Sequence, residues 1–376
     1  MRPLLVFGAR PNFMKIAPIY RAMGARAGFD PVLLNTGQHF SKDMSDDFVT
    51  ALEMPAPDIN LGIGPGSQSE QVSEIMRRLE PVLKEVRPDV TVVVGDVSST
   101  LAAALTSSMC EVPVAHVEAG LRSRDWRMPE ERNRVLVDRV STYLFTTSAD
   151  ADDNLLLEGI EPQRVIRTGN VMIDSLDWVL PRIDAPACLA SLDLTPRLYG
   201  VITLHRPSNV DDDATLQGLL GALAEVSRDI ELVFPVHPRT RLRLNGFHTS
   251  DNGLKLVSPQ GYSDFMALLA NARVILTDSG GIQEEAVVLG VPCLTLRENT
   301  ERPITVDSGI NELVGTDPEA IVEAARRRLR LPMPEPFRPP LWDGQAAERI
   351  VDALERPAPA WPHNEQSRIA LEEAMP

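Results

Sequence analysis

The residues best suited to chemistry stand directly after short apolar runs. One stretch reads Thr277-Asp278-Ser279-Gly280-Gly281-Ile282-Gln283-Glu284-Glu285. Ser-Gly-Gly lets backbone come close to a phosphate, and the amides of the helix that opens there point at it. Glu285, one turn further in, can accept from ribose hydroxyls. The first apolar run is followed by Gly8-Ala9-Arg10-Pro11-Asn12-Phe13-Met14-Lys15. Cations at a helix start oppose its dipole, so Arg10 and Lys15 point to an anion such as a diphosphate; the alternative is two solvated side chains. Asp96, in Gly95-Asp96-Val97-Ser98-Ser99-Thr100, is either a helix cap or a working carboxylate. Glu118, in His116-Val117-Glu118-Ala119-Gly120-Leu121-Arg122-Ser123, sits at a buried strand terminus, where an unpaired carboxylate is costly. Glu130 and Glu131 open a helix that runs on to Arg134, and the helix dipole alone would explain them. His205 and His237 each follow a strand and are either structural or proton-transferring. Arg297 and Arg302 bring further cations to a late loop. The set is one of anion binding combined with proton transfer.

Familiar nucleotide signatures are missing. There is no G-x-G-x-x-G and no Walker A loop, and Gly62, Gly64 and Gly66 follow no clear strand.

The elements that must position these residues are legible as alternation. Apolar runs occur at Leu4–Phe7, Val32–Leu34, Val92–Val94, Val112–Ala115, Leu144–Phe145, Val201–Leu204, Leu232–Val236, Leu254–Val257, Val274–Leu276 and Cys293–Leu296. Several lack polar alternation, as strands buried on both faces of a parallel sheet do. Helical patterns lie between them. The clearest is Ser67–Arg87, with Val72, Ile75, Met76, Leu79, Val82, Leu83 and Val86 on one stripe and Pro81 predicting a kink or break. Strand–helix alternation implies a doubly wound α/β architecture, in which ligands bind at the carboxyl ends of the strands.

A chain of 376 residues exceeds what one core usually holds, so two domains are expected. The proline-rich, aperiodic segment Pro181–Pro196 places their junction between about residues 172 and 197. A last helix is expected over Asp343–Glu355, followed by a loosely held tail. The net charge of −16 argues against a nucleic-acid surface. No apolar stretch approaches membrane-spanning length, and no signal peptide opens the chain, so no membrane insertion is expected. Three scattered cysteines, Cys110, Cys188 and Cys293, suggest neither a disulfide framework nor a metal site, and fit the cytoplasm.

Taken together the motifs resemble the non-hydrolysing UDP-N-acetylglucosamine 2-epimerases. The matching stretches are GARPNFMKIAP (8–18), TGQHF (36–40), GDVSSTLA (95–102), HVEAGLRS (116–123), MPEERNR (128–134), TGNVMID (168–174), TLHRPSNVD (203–211), PVHPRTR (235–241), TDSGGIQEE (277–285) and ENTERPITV (298–306). They run collinearly from the N-terminus to about residue 355.

The resemblance implies two Rossmann-like domains facing a central cleft (GT-B type). Residues 1–172 would carry sugar and acid–base groups, and residues 173–342 would bind UDP. Residues 343–356 would form a helix crossing back to the first domain, with 357–376 as a tail. It implies reversible C2 epimerisation of UDP-GlcNAc to UDP-ManNAc, by anti elimination of UDP to a 2-acetamidoglucal and re-addition, with neither metal nor other cofactor. Asp96, Glu118, Glu130 and His205 match the catalytic positions. Arg10, Lys15, Arg134, Gln260, Phe265, Ser279, Gly280, Gly281, Glu285 and Arg302 match contacts to the UDP-sugar. Gln38 and His39 fall where many bacterial members hold a second UDP-GlcNAc as activator. Asn12 stands where many members have Glu. A homodimer is the family expectation. Two alternatives share these features: a 2-epimerase of a modified UDP-sugar of the diacetamido uronate type, and a glycosyltransferase of the same fold. The loop Glu301-Arg302-Pro303 favours the simple sugar, and three carboxylates favour epimerisation, since transfer usually needs one base.

Overall fold

The computed structural model describes residues 1–37, 49–236, 244 and 254–359, except the side chain of Arg10. Gln38, His39, His237 and the tail beyond residue 359 lie outside the described residues.

Two parallel sheets form. The first holds β1 (Pro3–Phe7), β2 (Val32–Asn35), β3 (Ile59–Asn60), β4 (Val90–Val94), β5 (Val114–Ala119), β6 (Tyr143–Thr146) and β7 (Val165–Arg167), in the order β3-β2-β1-β4-β5-β6-β7. The second holds β8 (Tyr199–Thr203), β9 (Glu231–Pro235), β10 (Leu254–Val257), β11 (Val274–Thr277), β12 (Cys293–Thr295) and β13 (Asn311–Leu313), in the order β10-β9-β8-β11-β12-β13. The architecture is the expected α/β fold of GT-B type, with two Rossmann-like sheets. Every residue of β1 and β4 is buried, which is why these strands read as unbroken apolar runs. The strands the sequence did not announce are β3, β7 and β13. They are two or three residues long, and their burial is incomplete.

Each sheet reverses its strand order at one place, between β1 and β4 and between β8 and β11. The crevice beyond the carboxyl ends of strands at such a reversal is the usual ligand site. Gly8 follows β1, Asp96 follows β4, His205 follows β8 and Asp278 follows β11. Topology therefore gathers these motifs from four separate parts of the chain.

Local signals explain several elements. The helix Gln68–Val86 opens at Ser67 with a reciprocal capping box: Glu70 N–H donates to Ser67 Oγ (3.3 Å) and Ser67 N–H to Glu70 Oε2 (2.8 Å). It runs on through Pro81, so the break expected there as the alternative to a kink does not occur. Pro81 is exposed, while Ile75, Leu79 and Leu83 clamp the buried face on both sides, outweighing one lost hydrogen bond. The 181–196 segment is not structureless. It contains the helix Ala185–Ser191, capped by Asp184, whose carboxylate accepts from Ala187 N–H at 3.1 Å. Capping, rather than periodicity, forms this short helix.

One apolar cluster joins the two sheets, running from Leu5 and Phe7 through Ile16, Ile173 and Leu176 to Val201 and Ile275. The last helix, Ala346–Leu354, returns from the second sheet to pack on the helix Arg10–Gly24. Arg26 pairs there with Glu348 at 2.7 Å and Asp352 at 2.5 Å. Its N-terminus docks on Asp174, whose carboxylate accepts from the amides of Ala346 (3.2 Å) and Ala347 (2.7 Å).

Burial, with the nearby Asp343 and Asp177, pushes the Asp174 carboxyl up to about 6 despite those two amides. The folded protein thus holds this proton more tightly than the unfolded chain, where Asp titrates near ~3.9. Its contribution to stability falls as pH rises from about 4 to about 6 and is level above that. Thermal melts across this range should show a smaller decline for Asp174→Asn than for the wild type. Parallel declines would refute the assignment.

Candidate functional site

The first half of the site is built at the ends of β1, β4 and β5. Asn12 is buried three residues after Ala9, and its Oδ1 accepts from the amides of Ala9 (3.0 Å) and Gly8 (3.3 Å). Its Nδ2 donates to Val94 O at 3.2 Å, tying the β1 turn to the end of β4. A glutamate could not make that last bond. From the same helix the Lys15 ammonium reaches the Glu118 carboxylate, both groups being buried.

Asp96 does not cap the helix Ser98–Met109, which starts after Val97. It pairs with Arg134, whose Nε lies 2.9 Å and Nη2 2.8 Å from Asp96 Oδ2. Withdrawal from water works to raise the Asp96 carboxyl, but Arg134 and Lys15 outweigh it and hold it below the usual carboxylate range.

Glu130 is half-buried, and its carboxylate has no hydrogen-bond partner among the described residues. Its neighbour Glu131, only 2% exposed, is the carboxylate tied into the network. It accepts from Arg124 N–H (2.8 Å), Ser123 N–H (2.9 Å) and the Arg134 guanidinium.

The second half is built at the ends of β8, β11 and β12. His205 is exposed, with Nδ1 2.7 Å from Oδ1 of the fully buried Asp278. The carboxylate can only accept, so Nδ1 carries the hydrogen and Nε2 stays available. Asp278 also accepts from the amides of His205 (3.0 Å) and Arg206 (2.9 Å). Burial alone would raise the Asp278 carboxyl; the facing His205 and those amides hold it low.

The helix Gly280–Leu289 opens at Ser279 with no side-chain cap, so its first amides point toward the site. A Cβ on Gly280 would fall 2.4 Å from Arg302 Nη1 and 2.6 Å from Glu301 Oε1, so only glycine lets Arg302 lie across the helix start. At Gly281 the nearest atom, Met172 Cε, would be at an ordinary 3.5 Å.

Arg302 joins the two halves. Its guanidinium meets Glu118 from β5, Glu301 at 2.5 Å and Glu284 at 2.9 Å. Glu301 also faces Arg297 (2.8 Å), Arg206 (3.6 Å) and Arg134 (3.9 Å). Burial would raise Glu301, but Arg302, Arg134, Arg297 and Arg206 hold it well below the carboxylate range.

Glu284 is pushed up to about 7, by burial first and by Glu118, against Arg302. Glu285 is pushed up to about 8 by burial and by Glu284, and its Oε1 has no hydrogen bond. Burial thus favours the protonated form of Glu285, which can donate as well as accept. Arg297 Nη1 is another buried atom without a hydrogen bond, a donor suited to an anionic oxygen.

Gln260 donates to Ser258 O at 2.7 Å, and Phe265 is half-buried on the helix Tyr262–Asn271. Both follow the edge strand β10.

Four residues of this site were given no part in it by the sequence: Glu131, Asp278, Glu284 and Glu301. Each lies inside a quoted motif or directly beside one, but adjacency along the chain does not tell which of two neighbouring carboxylates turns inward. Among the described residues no group of three or more His, Cys, Asp or Glu could hold a metal ion, and no helix is long and apolar enough to cross a membrane.

The arrangement pairs carboxylates with a dense cation cluster at the carboxyl ends of two facing sheets. Such a site can neutralise a diphosphate and move protons beside it. Comparison with known proteins agrees. The UDP-N-acetylglucosamine 2-epimerase family model matches residues 21–355. The UDP-N-acetylglucosamine 2-epimerase of Methanocaldococcus jannaschii is 40% identical over 365 residues, 94% of this chain and 99% of its own. Its crystal structure in complex with UDP-GlcNAc and UDP superposes with a TM-score of 0.87 over 94% of this chain and 99% of that one. The UDP-GlcNAc 2-epimerase of Neisseria meningitidis bound to UDP-GlcNAc, 31% identical, also gives a TM-score of 0.87, over 94% and 100%. The UDP-2,3-diacetamido-2,3-dideoxy-D-glucuronate 2-epimerase of Pseudomonas aeruginosa is 39% identical over 362 residues, 94% of this chain and 99% of its own. With a family match spanning nearly the whole chain on a shared fold, the protein is an isomerase that belongs to the UDP-N-acetylglucosamine 2-epimerase family.

Proposed function

We propose that the protein interconverts UDP-GlcNAc and UDP-ManNAc reversibly, by anti elimination of UDP and re-addition. The observation that carries this reading is the Lys15–Glu118–Arg302 chain, which joins the acid–base strand ends of the first sheet to the anion-binding helix of the second. The C2 proton of the sugar is not acidic, because no carbonyl adjoins C2 in the ring. Elimination avoids that barrier. A carboxylate takes the C2 proton, the C–H electron pair forms the C1=C2 bond, and the C1–O bond breaks with its electrons leaving on UDP. In the return step a β-phosphate oxygen of UDP attacks C1, and a proton is delivered to the other face of C2. Two faces require two proton-handling groups, and Asp96, Glu118 and Glu130 are the candidates.

Asp96, held ionised by Arg134, suits the positive charge that develops on the ring as UDP departs. His205, oriented by Asp278, serves the leaving phosphate through Nε2. Arg10, Lys15, Arg134, Arg302 and the amides after Ser279 neutralise the diphosphate, Glu285 meets the ribose, and Gln260 with Phe265 flanks the uracil. The working form is a homodimer acting in the cytoplasm, and light scattering of the purified protein tests the first half of that statement.

The reaction is tested by proton NMR of UDP-GlcNAc with the protein in deuterated water. The expected result is UDP-ManNAc carrying deuterium at C2, with a small UDP signal. Identity to the Pseudomonas aeruginosa enzyme favours a second reading, a diacetamido UDP-uronate as substrate. An unchanged UDP-GlcNAc spectrum alongside turnover of that sugar would establish it.

A further inference from the structure

Beneath the Glu118 turn lies a buried ion pair with no part in the reaction described above. His116 on β5 is 0% exposed, and Asp138 on the helix Pro129–Val140 is 1% exposed. His116 Nδ1 is 2.6 Å from Asp138 Oδ1, and Nε2 is 2.9 Å from Gly95 O. A carboxylate and a carbonyl only accept, so the ring donates from both nitrogens. Asp138 Oδ2 accepts from Gly120 N–H at 3.2 Å and faces Arg122 Nη2 at 2.8 Å. Burial would raise the Asp138 carboxyl, but the facing His116 and Arg122 outweigh it and hold it low.

This pair brackets a strained backbone. Glu118 sits at φ +74°, a left-handed conformation that strains a residue with a Cβ, and the register between β5 and β6 shifts across it. Gly120 follows at φ +79°, and a Cβ there would lie 2.3 Å from Ala151 O. Such a turn persists only where its surroundings over-determine it. Asp138 supplies the restraint from both sides, holding the Gly120 amide after Glu118 and the His116 ring before it. The ring passes the restraint on to the carbonyl of Gly95, the residue preceding Asp96. Gly95 N–H in turn donates to Val117 O at 3.0 Å, so the peptide groups on both sides of Gly95 are tied to β5.

We propose that Asp138 and His116 are positioning residues that set the separation of the Asp96 and Glu118 carboxylates, through the Gly95 carbonyl and the Gly120 amide. The inference rests on the reading that those two carboxylates work on the sugar. It requires a doubly protonated His116 ring and a geometric effect on turnover rather than on ligand capture.

Two measurements test it. Nitrogen-15 NMR of histidine side chains in the wild-type protein should show, at neutral pH, one ring with both nitrogens protonated. With six histidines in the chain, the ring is assigned by its loss in His116→Gln. A neutral His116 ring overturns the proposal without any need for a variant to be active. In Asp138→Asn, where the amide no longer accepts at both positions, kcat for the epimerised UDP-sugar should fall roughly tenfold to hundredfold, the cost of a misplaced group. KM and UDP affinity should stay within about twofold. An unchanged kcat, or a loss confined to KM, overturns the proposal. A merely structural role would lower Tm and the active fraction but leave kcat per active site alone, so active sites are counted by UDP binding. Should Asp138→Asn not fold, Asp138→Glu, which keeps the charge but displaces the contact, is judged by the same split. Failure of the functional reading is seen separately: the wild type would then epimerise no UDP-sugar, whatever the state of the His116 ring.

Discussion

Glu118→Gln is expected to lower kcat for UDP-GlcNAc by roughly 10²–10⁴-fold, the range for loss of a proton-transferring side chain. The amide has the same size and still accepts one hydrogen bond, so the strained turn and the packing around it should survive. What is lost is the ability to take or give a proton and to balance the buried charges of Lys15 and Arg302. The second loss has a signature of its own. With one anion fewer, the two cations are less compensated and should hold the diphosphate of UDP as tightly as in the wild type or more so. Falling turnover with undiminished UDP binding is therefore the expected pattern. Exchange of the C2 hydrogen with deuterated water should fall by the same factor as epimerisation. A variant turning over within about threefold of the wild type would remove Glu118 from the proton path.

Arg302→Met should be the most damaging single change to the folded cleft. The guanidinium is shared among Glu118 on β5, Glu284 on the helix Gly280–Leu289 and Glu301 in the loop after β12, so it ties both halves together. Removing one partner of a buried ion pair costs about 3–5 kcal/mol, because charge is left uncompensated. The cost depends on pH in a definite sense. Glu284 is already pushed up to about 7, by burial above all, and loses the cation opposing that shift. Glu301, held low against burial by Arg302 first among four guanidiniums, rises as well. Both carboxyls bind protons more tightly in the folded variant than in the folded wild type, and Glu284 does so more tightly than the unfolded chain, where glutamate titrates near ~4.3, so the variant falls further behind the wild type as pH rises. Denaturant titrations should show a deficit against the wild type that is small near pH 5 and largest near pH 8. A deficit independent of pH would mean that Arg302 contributes through packing alone. Epimerisation should be lost with it, chiefly as a raised KM, since Arg302 spans the start of the helix proposed to hold the diphosphate.

Local signals in the chain made much of this architecture legible. The interior strands β1, β4, β8 and β11 are buried on both faces and so carry unbroken apolar runs. The helix Gln68–Val86 carries both its stripe and its capping box. The edge strands β3, β7 and β13 were silent because two or three incompletely buried residues impose no pattern. Pro81 does not end its helix for a related reason: a backbone rule states the cost of a broken hydrogen bond but not the packing on the opposite face that outweighs it.

By itself, the sequence determined which motifs end each strand, that their residue types suit anions and protons, and, through their collinear order, the family. Burial and capping are local properties, written into spacing along the chain. Only the tertiary structure decided the partnerships. It set Asp278 behind His205 across 73 residues and joined Arg302 to Glu118 across 184. It turned Glu131 rather than Glu130 into the network and put His116 beneath the Glu118 turn on Asp138. Those pairings depend on strand order and on how two sheets face each other. Coulomb and hydrogen-bond energies act over a few ångströms of space, and no periodicity along the chain records which distant residues that space will hold.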